Sequence, residues 1–187
     1  MIKPVAILCA RSDSVYRRLP GCDVFDLVRD AWSFRGGKPV VAHPPCRLWG
    51  ELRHGVRLPW PSVLAEVMLG GWCVMQAAAC GGVVEQPLRS QLFERFRPGC
   101  GFFMNVPQMW FGHRAEKQTR LLICGCRPVD VPRVELVLGD AERVITNVKS
   151  RPLGHPLHRA EVTRAEREAT PLSFATWLLD VARRCAP

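Results

Sequence analysis

Between residues 39 and 87 the chain reads as apolar run, long amphipathic stretch, apolar run, and no other feature restricts the fold as much. Residues 39–42 and 82–85 are short, rich in valine and bounded by turn residues, as buried strands are. Residues 61–79 carry apolar side chains at helical spacing, with Pro61 near the first turn and Gly81-Gly82 just past the end. Strand, helix and strand in that order form the βαβ unit of a parallel sheet. The rhythm extends in both directions. Residues 5–10 and 22–27 read as strands, and 12–19 as a short helix capped by Ser12 or Asp13 and ended by Pro20-Gly21. Arg35-Gly-Gly37 reads as a turn, 90–96 as a helix, 120–126 as a fifth strand and 170–184 as a final helix opened by Pro171. The predicted fold class is α/β: a single Rossmann-like domain over residues 1–187, with a mostly parallel sheet flanked by helices. A loop-rich insert with one short hairpin is expected at 127–167, and a closing helix at 170–185.

Composition narrows the setting. A chain of 187 residues suits one domain. No apolar run approaches the roughly 20 residues that span a bilayer, and the opening Met-Ile-Lys-Pro-Val-Ala-Ile-Leu is too short for a signal-peptide core. A cytoplasmic location with no membrane partner is the expectation. The nine cysteines are an odd number, and Cys9, Cys22, Cys73, Cys80 and Cys124 sit among apolar neighbours, which reads as reduced thiols. Cys124-Gly-Cys126 with Cys100 and His113 could supply four zinc ligands, but C-x-C lacks the usual C-x₂₋₄-C spacing, so no metal is expected. The net charge of +9, spread along the chain and mostly arginine, favours a polyanionic partner, nucleic acid first.

Chemistry gathers where strands end. In open α/β sheets, functional groups collect at the carboxyl ends of the strands. Two strands here end in polar signatures, Val40-Val-Ala-His-Pro-Pro-Cys46 and Gly82-Val-Val-Glu85-Gln-Pro87. One helix separates them, so both tips belong on one edge, with a thiol and a carboxylate at the same place. Arg47 and His43 beside Cys46 are expected to lower its pKa, and Glu85 suits the polar edge of a heterocycle and the handling of a proton. The bland alternative is a structural Cys46 and a Glu85 paired with Arg89 or Arg47.

These residues carry a family resemblance. Pro44-Pro45-Cys46 resembles the Pro-Cys nucleophile motif of DNA cytosine-5 methyltransferases. Val84-Glu85-Gln86 is similar to their Glu-Asn-Val motif one strand later. Arg120-Leu-Leu-Ile-Cys-Gly125 resembles the end of their Gln-x-Arg-x-Arg motif. The chain also looks like the short methyltransferase-like proteins of phages and prophages, through Trp110-Phe-Gly-His113, Lys117, Thr119 and the segment from Thr170-Pro171 to Trp177. The resemblance covers roughly residues 39–125. It implies that Cys46 attacks C6 of a pyrimidine, activating C5, that Glu85 holds N3 and the exocyclic amine, and that Arg120 contacts the base or its phosphate. A base in duplex DNA would have to flip out to reach such a pocket. S-adenosylmethionine is the implied cofactor, and Asp13, Asp23 and Asp26 are the acidic residues near the first two strand tips that could take its ribose. The chain departs from the family in having no glycine after the first strand, where 9–14 read Cys-Ala-Arg-Ser-Asp-Ser. It also has too few residues before Pro39 for a further strand-helix unit, so the domain is expected to be reduced relative to full methyltransferases.

Beyond the motifs, Trp110-Phe-Gly-His113-Arg-Ala-Glu-Lys117 combines aromatic and basic groups that could stack a base and grip phosphate. Arg47 and Trp49 flank the cysteine on one side, with Trp60 further along. The stretch 147–151 with His155 and His158 reads as a basic loop, with contact to a DNA backbone the alternative. The expected partner is DNA or a pyrimidine nucleotide. Alternatives to a base-modifying enzyme are a cofactor-less nucleic-acid-binding relative, such as a phage accessory or counter-defence protein, and an enzyme on free pyrimidine nucleotides.

Overall fold

The computed structural model describes residues 2–146 and 150–185, with Leu52 described by its backbone alone. Six strands form one sheet: β1 (Val5–Leu8), β2 (Cys22–Val24), β3 (Val40–Ala42), β4 (Gly82–Pro87), β5 (Phe102–Pro107) and β6 (Gln118–Cys124), in the order β2-β1-β3-β4-β6-β5. The helices are α1 (Trp60–Cys80), α2 (Leu92–Arg95), α3 (Arg164–Glu168) and α4 (Leu172–Arg184). From β2 to β4 all neighbours run parallel, with Val41 opposite both Ile7 and Val83. β1 and β3 are buried along their whole length, as strands covered on both faces are.

Alternation along the strands sorts side chains into two cores. Val5, Ile7, Val41, Val83, Leu121 and Ile123 face α4, which buries Phe174, Leu178 and Val181 against them. Each such side chain contributes about 1.5–3 kcal/mol by leaving water. Ala6, Leu8, Val40, Ala42, Val84 and Leu122 face α1, which supplies Cys73, Val74 and Ala77. The join of α1 to β4 requires glycine. At Gly82, φ is +130° and a Cβ would lie 2.0 Å from the Val40 carbonyl oxygen.

Several expectations are corrected. The sheet is mixed rather than mostly parallel, because β6 enters antiparallel to β4, and β5, a strand the sequence reading had not placed, lies antiparallel to β6 at the edge. The four-residue α2 is too short to return the chain as a parallel crossover beside β4, whereas the turn at 108–117 joins β5 and β6 as antiparallel neighbours. At 127–167 there is no hairpin among the described residues. Two single parallel bridges, Ala115 to Arg143 and Val144 to Glu161, tie that segment down instead, and residues 147–149 of its basic stretch lie outside the described residues. Finally, α1 has 21 residues with Glu66 its only charge, and by length and composition alone it is long enough and apolar enough to cross a membrane. In this fold one side of it faces the second core, while Trp60, Leu64, Met68 and Met75 are exposed.

The expected helix at 12–19 is a single 3-10 turn over Val15–Arg18. Its reduction matters, because it drops Tyr16 into the first core directly below the tip of β3.

Candidate functional site

The chain runs from β1 outwards to β2 and then returns to β3 on the other side of β1, so the strand order reverses between the carboxyl ends of β1 and β3, the crevice position of such a sheet. Such a reversal point is where open α/β sheets bind ligands. Four segments meet there. The 3-10 turn after β1 brings Tyr16, β3 continues into His43 and Cys46, β4 carries Glu85, and the β5–β6 turn brings Gln108, Lys117 and Thr119. Because β6 is antiparallel, its amino end lies on the same edge as the carboxyl ends of the other strands.

A buried polar chain links these groups. His43 Nε2 lies 3.1 Å from the Tyr16 hydroxyl and His43 Nδ1 lies 3.2 Å from Glu85 Oε2. Gln108 Nε2 donates to Glu85 Oε1 at 3.2 Å and to Thr119 Oγ1 at 3.0 Å, and Thr119 in turn donates to the Lys117 carbonyl. The network fixes its own hydrogens. Burial, and then the charge of Glu85, push the Tyr16 hydroxyl well above its ordinary pKa, so it keeps its proton and donates to His43 Nε2. That leaves Nδ1–H to donate to Glu85. Thr119 spends its own hydrogen on Lys117 and accepts from Gln108, which orients the glutamine amide and leaves its buried Oε1 without a partner.

Charges follow from this arrangement. Burial alone would raise the pKa of Glu85, but the hydrogen bond from His43, with the charge of Lys117, holds it below the usual carboxylate value. Lys117 is lowered by burial, and the charges of Glu85 and Cys46 counter only part of that. Its Nζ donates to the Ala169 carbonyl at 2.7 Å rather than to Glu85. With Cys9, Lys117 is one of two non-glycine residues in the left-handed region among those described, and the two flank the crevice. Cys46 as a residue is exposed. Its sulfur nonetheless lies among enough protein atoms that burial, then Glu85, raise the thiol pKa, while Lys117 pulls it down by less.

The chain matches no protein-family model, no curated protein and no solved structure.

Of the residues expected at the site, Cys46, Glu85 and Lys117 come within reach of one another's charge. The lowered thiol pKa expected from Arg47 and His43 is overturned. Arg47 is turned away onto Glu66, and His43 is held between Tyr16 and Glu85. Glu85 pairs with neither Arg47 nor Arg89, which is on Glu51. Arg120 lies opposite Gln86, so it emerges on the α1 face of the sheet, whereas Glu85, opposite Leu121, emerges on the α4 face. Its guanidinium lies 4.4 Å from the centre of the Phe103 ring. Arg120 is therefore not in the Cys46–Glu85 group, because alternate residues of a strand point to opposite faces.

The aromatic and histidine candidates divide in the same way. Trp49 is buried against Phe96 and the backbone of Gly70, so it is core rather than a stacking platform. His113 is buried too, with Nδ1 at the Ala115 backbone and Nε2 at the Glu166 carbonyl, and it braces the turn. Trp110 is half-buried in the turn after β5. Among the described residues no three metal-ligating side chains converge: Cys124 lies by the Cys100 carbonyl, and Cys126 lies 2.7 Å, sulfur to sulfur, from Cys185.

The donors expected for S-adenosylmethionine do not fit it. Asp13 is paired with Arg11, Asp23 with Arg29 and Lys38, and Asp26 with Arg17. Asp26 also accepts the backbone N–H groups of Val28 and Arg29. Each carboxylate is thus already committed to a cation, and the chain after β1 turns through Cys9 with no glycine cradle. Concavities of about 460 Å³ beside Arg97 and Phe103 and about 610 Å³ beside Arg151 and His158 lie elsewhere, so convergent side chains rather than cavity volume locate the site.

Sequence reading missed Tyr16, Gln108 and Thr119 as site residues. Tyr16, the single tyrosine of the chain, carried a faint signal, and Gln108 carried none.

Proposed function

We propose that this chain takes a pyrimidine base, in DNA or in a nucleotide, into the crevice between β1, β3 and β4 and bonds Cys46 to C6 of its ring. The observation that carries the reading is an exposed thiol three residues beyond His43, whose ring is hydrogen-bonded to the ionised Glu85 carboxylate, at the reversal point of the sheet. In the adduct step the Cys46 proton leaves to water, the Sγ–C6 bond forms, and the C5=C6 electron pair moves towards the C4 substituent. C5 becomes nucleophilic. Lys117 faces the developing negative charge, and Glu85 holds the N3 edge of the ring. The parallel strands β2 to β4 fit a Rossmann-like sheet shortened at the β2 edge, with the antiparallel pair β6 and β5 completing the other side, a common variant of doubly wound sheets. The adduct itself needs no cofactor.

A second reading, a cytosolic nucleic-acid-binding relative without transfer chemistry, is favoured by the ion-paired Asp13, Asp23 and Asp26 and by the raised thiol pKa. One experiment separates the two. A reversible C6 adduct exchanges the C5 hydrogen with water, so DNA and nucleotides carrying tritium at C5 of cytosine or uracil should release it in the presence of the protein. Release should vanish in Cys46→Ser. DNA retention without release would leave only the binding module.

A further inference from the structure

Resting on that reading, we infer that the crevice takes a 4-oxo pyrimidine, of the uracil or thymine class, in preference to cytosine. The two bases differ along one edge. Uracil and thymine present an acceptor at O4 and a donor at N3–H, whereas cytosine presents donors at N4 and, at neutral pH, an acceptor at N3. The groups here match the first pattern. Glu85 receives His43 Nδ1–H on one oxygen and Gln108 Nε2–H on the other. A carboxylate held by two donors has no proton to offer N3 of cytosine, but its remaining lone pairs accept N3–H.

The histidine is not free to change this, because Tyr16 donates to its other nitrogen from a fully buried position. Nor is the glutamine, whose amide is pinned by Thr119. Lys117 supplies the complementary donor. It spends one hydrogen on the Ala169 carbonyl and keeps two, and it is near enough to Glu85 and Cys46 for each to feel its charge. An ammonium hydrogen-bonds O4 and stabilises the enolate left there when sulfur adds to C6. Against the amino group of cytosine it would set donor against donor. Arg120, which could have read the base, is on the other face of the sheet.

Tritium release from C5 of uracil and of cytosine, in otherwise identical oligonucleotides, tests this. Uracil should react at least about tenfold faster at neutral pH, the worth of one mismatched polar contact. The ratio should widen as pH rises from 6 to 8, because cytosine must take up a proton at N3 and uracil need not. Lys117→Met should narrow the ratio. Thermal shift with deoxyuridine monophosphate against deoxycytidine monophosphate reads the same preference in the wild-type protein without any chemistry or variant. Equal or faster release from cytosine, with the shifts in the same order, overturns the inference and leaves the adduct reading standing. Release from neither base overturns the adduct reading itself.

Discussion

A thiol that must lose its proton before attacking sets the pH dependence of the crevice, and Cys46 is held on the protonated side. Burial and the Glu85 carboxylate raise its pKa from the ordinary 9.0, and the nearby Lys117 offsets only part of this. At neutral pH the thiolate is therefore a minor species, below about 1%. Because the folded-state value is raised, the neutral thiol persists through the ordinary titration range, and reactivity should still be climbing at pH 9. Alkylation of Cys46 by iodoacetamide should rise about tenfold per pH unit from 6.5 to 8.5 with no plateau, read by mass spectrometry of the Cys46 peptide. A plateau near neutral pH would mean a stabilised thiolate and a different local charge balance. Removing the neighbouring carboxylate with Glu85→Gln should increase the rate at a given pH, since one of the charges opposing the thiolate is gone. Residue types and neighbours in sequence suggested the opposite. Arg47 and His43 stand beside Cys46 in the chain, but their side chains are claimed by Glu66 and by the Tyr16–Glu85 pair, partners that local sequence does not reveal.

Elements place those side chains, and register is the quantity that matters. Val41 lies opposite Val83, which sets Glu85 two residues beyond the pair on the same face as His43. The pairing depends on the close approach of β3 to Gly82. Gly82→Ala should shift that strand, lowering stability by roughly 3 kcal/mol or more and the melting temperature by about 6–12 °C. Gly37→Ala also has a positive φ, of 77°, but nothing lies within 4 Å of its added Cβ. It should cost only about 1–2 kcal/mol, and calorimetry on the two variants checks the difference. The strand-helix-strand pattern from β3 through α1 to β4 was legible because each element carried its own periodicity. β5 was not. Its residues are half-buried at a sheet edge, Pro107 ends it, and its partner β6 lies beyond a ten-residue turn that gives no hairpin signal. The antiparallel insertion of β6 was hidden for a related reason, since an apolar strand reads the same in either direction. Half of the site hangs on that insertion, because Lys117 and Thr119 reach the crevice only if β6 starts at the edge where β4 ends.

Across the whole molecule, charge decides what approaches the crevice. The net +9 is large for a chain of this length, yet many arginines are already neutralised locally: Arg11 by Asp13 and Glu168, Arg114 by Glu142 and Glu166, Arg127 by Asp130. Ion pairs between exposed groups add little stability, but they remove those arginines from competition for phosphate. The basic groups left near the thiol are fewer. Among the described residues, the Arg53 side chain hydrogen-bonds only the Gly50 carbonyl, and Arg57 lies exposed on the same loop after Cys46. Binding to nucleic acid should then involve a small number of phosphates, and counterion release gives the consequence. With three or four contacts, affinity for a single-stranded oligonucleotide should fall roughly 20- to 50-fold between 50 and 200 mM salt. Fluorescence anisotropy over that range measures the slope directly. Arg53→Gln with Arg57→Gln should flatten it, by about one contact for each group that truly meets a phosphate, while leaving tritium release from a free nucleotide unchanged, because neither side chain belongs to the Tyr16–His43–Glu85 chain. A slope that survives the double substitution would place the nucleic-acid track elsewhere on the surface. The crevice would then be a site for free nucleotides, reached without any help from the basic exterior.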